Sequence, residues 1–168
     1  MNDKASDPGQ RPSVVIERTY RATAEELWNL WTTKDGFESW WGPQGFRVNV
    51  HRLEARLGGA LHYDMIAATP EMIAAMQEMG QPPSHSSRAT FSVFEPCQRL
   101  ELTHVVDFIP GVPTYDSIIQ VAFVTSEDRV RMIVTLGPMH DEEFSQMQLA
   151  GFTSQLTKLD QRFHLVQE

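Results

Sequence analysis

Six histidines are the first residues in this chain to weigh for chemistry: His51, His62, His85, His104, His140 and His164. No two of them stand at a ligand-like spacing such as H-x-x-x-H, so neither a metal site nor a cofactor is expected. His104 differs from the others in its surroundings. It follows Leu100 and Leu102 on the alternation of a strand, which puts an imidazole on an otherwise apolar row. With an ordinary pKa near 6.5, such a ring could act as acid or base on a ligand carbonyl. The plainer reading is a buried histidine hydrogen-bonded to a neighbour such as a tyrosine, and it is preferred. Tyr63 and Tyr115 could orient a polar group of a ligand, or satisfy each other. No glycine-rich phosphate loop, nucleophile elbow or paired-carboxylate motif is present, and the sequence gives no positive sign of an enzyme.

Composition narrows the classes further. The formal net charge is -8, and the 14 basic residues are scattered, which argues against a nucleic-acid partner. The single Cys97 cannot form an internal disulfide, and this fits a reducing, cytoplasmic setting. No window approaches 18 consecutive apolar residues, so no membrane insertion is expected. Residues 1–12 are polar, with two prolines and a glycine, and read as a disordered tail without a signal peptide.

The elements that must position these side chains can be read in order. Residues 13–21 are rich in β-branched side chains and predict a strand. Thr23 can cap a helix in which Leu27, Trp28, Leu30 and Trp31 form an apolar stripe. A second short helix over 34–41 ends at Gly42-Pro43 and carries the adjacent Trp40 and Trp41 at its end. One of these rings is expected to pack structurally and the other to face a cavity. Residues 46–55 and 60–67 predict strands joined at Gly58-Gly59, with a bulge near His51-Arg52 where the apolar parity slips. Residues 69–81 form a Met-bearing helical insertion, read as ordinary packing against the sheet. Strands follow over 86–94, 99–107, 115–124 and 129–136. Their short connections require antiparallel neighbours.

A long helix capped by Asp141 closes the chain, with Leu149, Phe152, Leu156, Leu159 and Phe163 along one stripe. Gly151 in its middle costs about 0.8–1.0 kcal/mol relative to alanine, so something bulky is expected to approach the backbone there. One antiparallel sheet then has an apolar face to cover, and only the last helix is long enough to cover it. This is an α+β helix-grip fold: six to seven curved strands around a C-terminal helix, with two short helices after the first strand. Aromatic residues and methionines on the enclosed faces are the candidate cavity lining. Trp40, Phe46, Tyr63, Met65, Phe91 and His104 come from the first two thirds of the chain. Tyr115, Phe123, Met132, Phe144, Met147, Phe152 and Leu156 come from the rest.

Taken together, TAEELWNLWT, FESWWGP with Phe46 after it, RLGGALHYDM, FEPCQRLELTH and GFTSQLTKL resemble the START-like or Bet v-like superfamily. Within it, the chain is similar to the branch homologous to the C-terminal domain of the activator of heat-shock protein 90 ATPase. The resemblance runs from Val14 to about Phe163, so residues 13–168 read as one START-like domain with the insertion at 69–81. The Trp-Trp-Gly-Pro and Arg-x-Gly-Gly pair at this separation is the specific part. Phe152 stands where the family often has Trp, and His104 where an aromatic often ends the strand. The family has no shared catalytic set to carry across. The excess of Trp, Phe and Met on the enclosed faces points to a carrier or sensor for a small apolar ligand held between sheet and terminal helix. The alternatives are a co-chaperone-like module regulating an ATPase, which the resemblance alone implies, or a cyclase or hydrolase acting in the cavity. The chain has no separate N-terminal domain like that of the full eukaryotic activator, which counts against a chaperone partner. A sheet edge and the Met-rich insertion are the surfaces at which a homodimer could form.

Overall fold

A computed structural model describes residues 13–107, 109 and 111–166; the expected tail at 1–12 lies outside them. The first strand, β1 (Val14–Tyr20), leads into α1 (Ala24–Thr32) and α2 (Lys34–Glu38). Thr23 and Glu26 form a reciprocal capping box that starts α1, each side chain serving the other's backbone amide. The second helix is shorter than the 34–41 expected. It stops at Glu38, where Ser39 turns its hydroxyl back onto the Gly36 carbonyl at 2.6 Å, and the two tryptophans sit in the turn beyond.

The sheet proper follows as β2 (Phe46–Leu53), β3 (Ala60–Ala67), β4 (Ser84–Glu95), β5 (Arg99–Val106), β6 (Tyr115–Ser126) and β7 (Arg129–Leu136). All neighbours are antiparallel, in the order β1-β7-β6-β5-β4-β3-β2. The register of β2 on β3 shifts between Val50 and Arg52, which places the expected bulge at His51. A second shift, between Phe91 and Val93 of β4, had no clear sequence signal. The insertion is a helix, α3 (Pro70–Glu78), capped by the Thr69 hydroxyl and without a buried residue. Gly58 and Gly59 tuck the β2–β3 connection against β4 through backbone bonds to Phe91 of 2.8 and 2.9 Å. A Cβ on Gly59 would lie 1.9 Å from the Glu54 carbonyl oxygen, so the close approach admits only glycine.

The last helix, α4 (Glu142–Phe163), lies across the inner face of the sheet. Its Asp141 cap accepts from the Phe144 amide, as the sequence suggests. Near its C-terminal end, Asp160 accepts a 2.6 Å hydrogen bond from the Tyr20 phenol and pairs with Arg18 at 3.5 Å. The chain then passes through His164 in the left-handed region and returns to the sheet. Leu165 bridges Tyr20, and the Val166 amide donates to the Thr19 carbonyl at the outer edge of β1. The main core forms between α4, α1, α2 and the sheet, with Trp31, Trp40, Tyr20, Phe37 and Phe91 the largest of its fully buried side chains.

Candidate ligand cavity

The Trp40-Trp41 turn is where the core gives way to open space. Trp40 is fully buried and donates its indole N–H to the Leu30 carbonyl at 2.9 Å. Its ring meets Trp31 edge-on at 5.1 Å. Trp41 also meets Trp31, at 5.4 Å, but is stacked on Phe37 at 4.6 Å and donates Nε1–H to the Tyr63 hydroxyl at 3.2 Å. One ring packs structurally and its neighbour reaches a cavity wall.

The cavity has a volume of about 210 Å³ and lies between the inner face of β3 to β6 and the middle of α4. The strands contribute Tyr63 and Met65, His85 and Ser87, His104 to Val106, and Ser117 with Ile119. The roof is Gln148, Gly151, Phe152 and Gln155 of α4, and Trp41, Pro43 and Met139 complete the wall. Gly151 corrects the sequence reading. A Cβ built there meets no heavy atom within 4 Å, so no part of the protein presses on the helix, and the missing side chain leaves space in the cavity.

The turn after Trp41 is held to α4 from several sides. Gly42 adopts a φ of +96°, open to glycine at little cost. Its amide donates to Gln155 Oε1 at 2.9 Å, and its carbonyl accepts from Lys158 Nζ at 2.8 Å. The Gln44 amide donates to the Ser154 hydroxyl at 3.0 Å, and its side-chain amide donates to Thr157. The polar residues of the GFTSQLTKL segment thus secure the rim of the cavity.

Inside, Tyr63 links the indole of Trp41 to the imidazole of His104. Burial pushes the Tyr63 phenol up to about 12, against the donors Trp41 and Ser87 that hydrogen-bond to its oxygen. The phenol oxygen also shares a hydrogen bond with His104 Nε2 at 3.0 Å. Burial also pushes the His104 pKa down to about 4, so the imidazole is neutral at pH 7. This is the histidine–tyrosine pairing favoured from the sequence. His85 is lowered as well, by burial acting against the nearby Asp64 carboxylate. Among the described residues no Asp, Glu, Lys or Arg lines the cavity.

Of the expected lining residues, Tyr63, Met65, His104 and Phe152 come together here. Trp40, Phe91, Phe123, Met132 and Leu156 are buried in the main core. Phe46 begins β2 beside Gly42. Tyr115 and Phe144 gather around His140, the phenol bonding to Nδ1 at 3.0 Å and the Phe144 ring lying 4.4 Å away. Met147 is 58% exposed on the outer side of α4. The sequence reading missed Ser87, Ser117, Met139 and Gln155, whose signals were weak. Gln155 could have been found as the residue one turn beyond Gly151 on the same face. Among the described residues no cluster of His, Cys, Asp or Glu could hold a metal ion, and no helix is long and apolar enough to cross a membrane.

A curved antiparallel sheet gripping a long terminal helix, with a cavity between the two, defines a helix-grip protein of the START-like class. Residues 21–164 match the family model described as activator of Hsp90 ATPase homolog 1-like protein, and the chain belongs to that family. Solved structures agree on the fold. Protein CV1439 from Chromobacterium violaceum superposes with a TM-score of 0.69 at 18% identity, covering 90% of this chain and 96% of that one. An AHSA1 protein from Silicibacter pomeroyi gives 0.69 at 20% identity, with the same coverage of 90% and 96%. CalU16 from Micromonospora echinospora gives 0.59 at 17% identity, covering 89% and 74%. No curated protein sequence matches this chain.

Proposed function

We propose that this protein binds a small, largely apolar molecule between its sheet and terminal helix, as a carrier or sensor. The observation that carries the reading is the cavity of about 210 Å³ beneath Gly151. A larger residue at 151 would fill part of it and also strengthen the helix. Keeping glycine there is understandable if something else occupies the space. The neutral His104, with Nε2 engaged by Tyr63, favours binding over acid–base turnover by that nitrogen.

Native mass spectrometry of the freshly purified protein, followed by calorimetric titration with naphthalene, tests this. The expected result is stoichiometric binding to the wild type and its loss in Gly151→Leu. Equal binding by both, or no binding by either, would count against the cavity as the site. Family membership supports a second reading, a module that regulates a chaperone ATPase. ATPase rates of a cognate chaperone with and without excess protein separate the two readings.

A further inference from the structure

We infer that the cavity selects a neutral molecule of one or two rings bearing a carbonyl-type acceptor, recognised by the Gln155 side-chain amide. This rests on the cavity being a binding site. Gln155 is only 3% exposed and lines the cavity roof. Its Oε1 accepts from the Gly42 amide, which can only donate, so the orientation of the side-chain amide is fixed. Nε2 must then carry the two hydrogens, and among the described residues it has no hydrogen-bond partner. A buried donor left unpaired costs more than an ordinary hydrogen bond contributes. An acceptor brought in by a ligand would recover that loss.

Tyr63 and His104 Nε2 are engaged with each other at 3.0 Å, and Trp41 donates to the phenol oxygen. The unused group of Gln155 is a donor, so the complementary ligand supplies an acceptor. Charge selects further. A carboxylate would enter a space where no described residue supplies a lining cation, and Lys158 commits its ammonium to the Gly42 carbonyl. Size sets the remaining limit: a dry cavity of about 150 Å³ accepts benzene, so about 210 Å³ suits one to two rings.

The test uses three probes of one shape: indane, 1-indanone and indane-1-carboxylate. Affinities are measured by calorimetry for the wild type and for Gln155→Leu, with thermal unfolding to confirm that the variant folds. In the wild type 1-indanone should bind at least as tightly as indane, although the ketone is better hydrated, and the carboxylate should bind weakest. Gln155→Leu should weaken 1-indanone about five- to tenfold relative to indane, the ratio expected for one recovered hydrogen bond. A measurement free of any variant accompanies this: the Gln155 side-chain ¹⁵N–¹H₂ resonances of the wild type should move with 1-indanone and not with indane. Indane and 1-indanone binding without that shift, or an unchanged ratio in a folded variant, overturns the inference and leaves the cavity reading standing. Tightest binding of the carboxylate does the same. Failure of all three probes to bind the wild type overturns the cavity reading and the inference with it.

Discussion

Lowering the pH is the most direct perturbation of the cavity wall, because burial holds His104 there as a neutral ring. Its pKa in the folded protein is pushed down to about 4, against about 6.5 in an unfolded chain. A depressed histidine pKa means that the folded state prefers the neutral ring. Its contribution is fully present above about pH 6.5, is lost as the unfolded chain takes up a proton below that, and stops falling near pH 4. At pH 4.5 the linkage comes to about 2.5 kcal/mol, a ceiling because water in the cavity would help solvate the cation. Carboxylates held below their ordinary range, such as Asp64 beside His51 and Ser86, also lose stabilising interactions as they protonate. The comparison is therefore made with His104→Gln, whose amide oxygen can accept from Tyr63 without titrating. Urea unfolding at pH 7 and 4.5 should show the advantage of wild type over variant shrinking by about 1–2.5 kcal/mol. A constant advantage across that range would refute the reasoning. So would a His104 ring resonance titrating at or above pH 6.5.

Further substitutions test other parts of the structure. Gly151→Ala should stabilise the protein by up to about 0.8–1.0 kcal/mol in urea unfolding, because its Cβ enters open space within a helix. Gly59→Ala should destabilise at or beyond the usual 1–3 kcal/mol of overpacking, since the obstruction is the Glu54 backbone; a midpoint near wild type would disprove the close approach. Tyr20→Phe should cost about 1.5–3 kcal/mol by removing the part-buried bond to the Asp160 carboxylate, measured by the same unfolding assay at pH 7.

Much of the architecture could be read before the structure, because it rests on local chemistry. The Thr23 capping box, the Asp141 cap, the bulge at His51 and the alternation of Val130, Met132, Val134 and Leu136 all carry their own sequence signal. The cavity was harder to place. Period-two alternation tells which face of a strand points inward, but not which end lies under open space. Phe123 and Met132 share the inner face with His104, yet both are packed in the main core, where Trp28 meets Phe123 at 5.9 Å. Gly151 had a visible signal with two opposite causes, crowding or vacancy, and periodicity could not separate them. Gln155 was obscured for another reason. Its partner is the backbone of Gly42, 113 positions away, and a backbone amide leaves no mark in the sequence.

The return of the chain to β1 has a consequence for assembly. A seven-stranded open sheet has two rims of unpaired backbone groups, each able to template the strand of another molecule. At one rim the bulge at His51 breaks the even spacing such a template needs. At the other, Leu165 and Val166 fold back and take up bonding positions beside Thr19 and Tyr20. Strand-by-strand growth between copies at the β1 rim would first have to displace that returning segment, whereas the β2 rim is only bent.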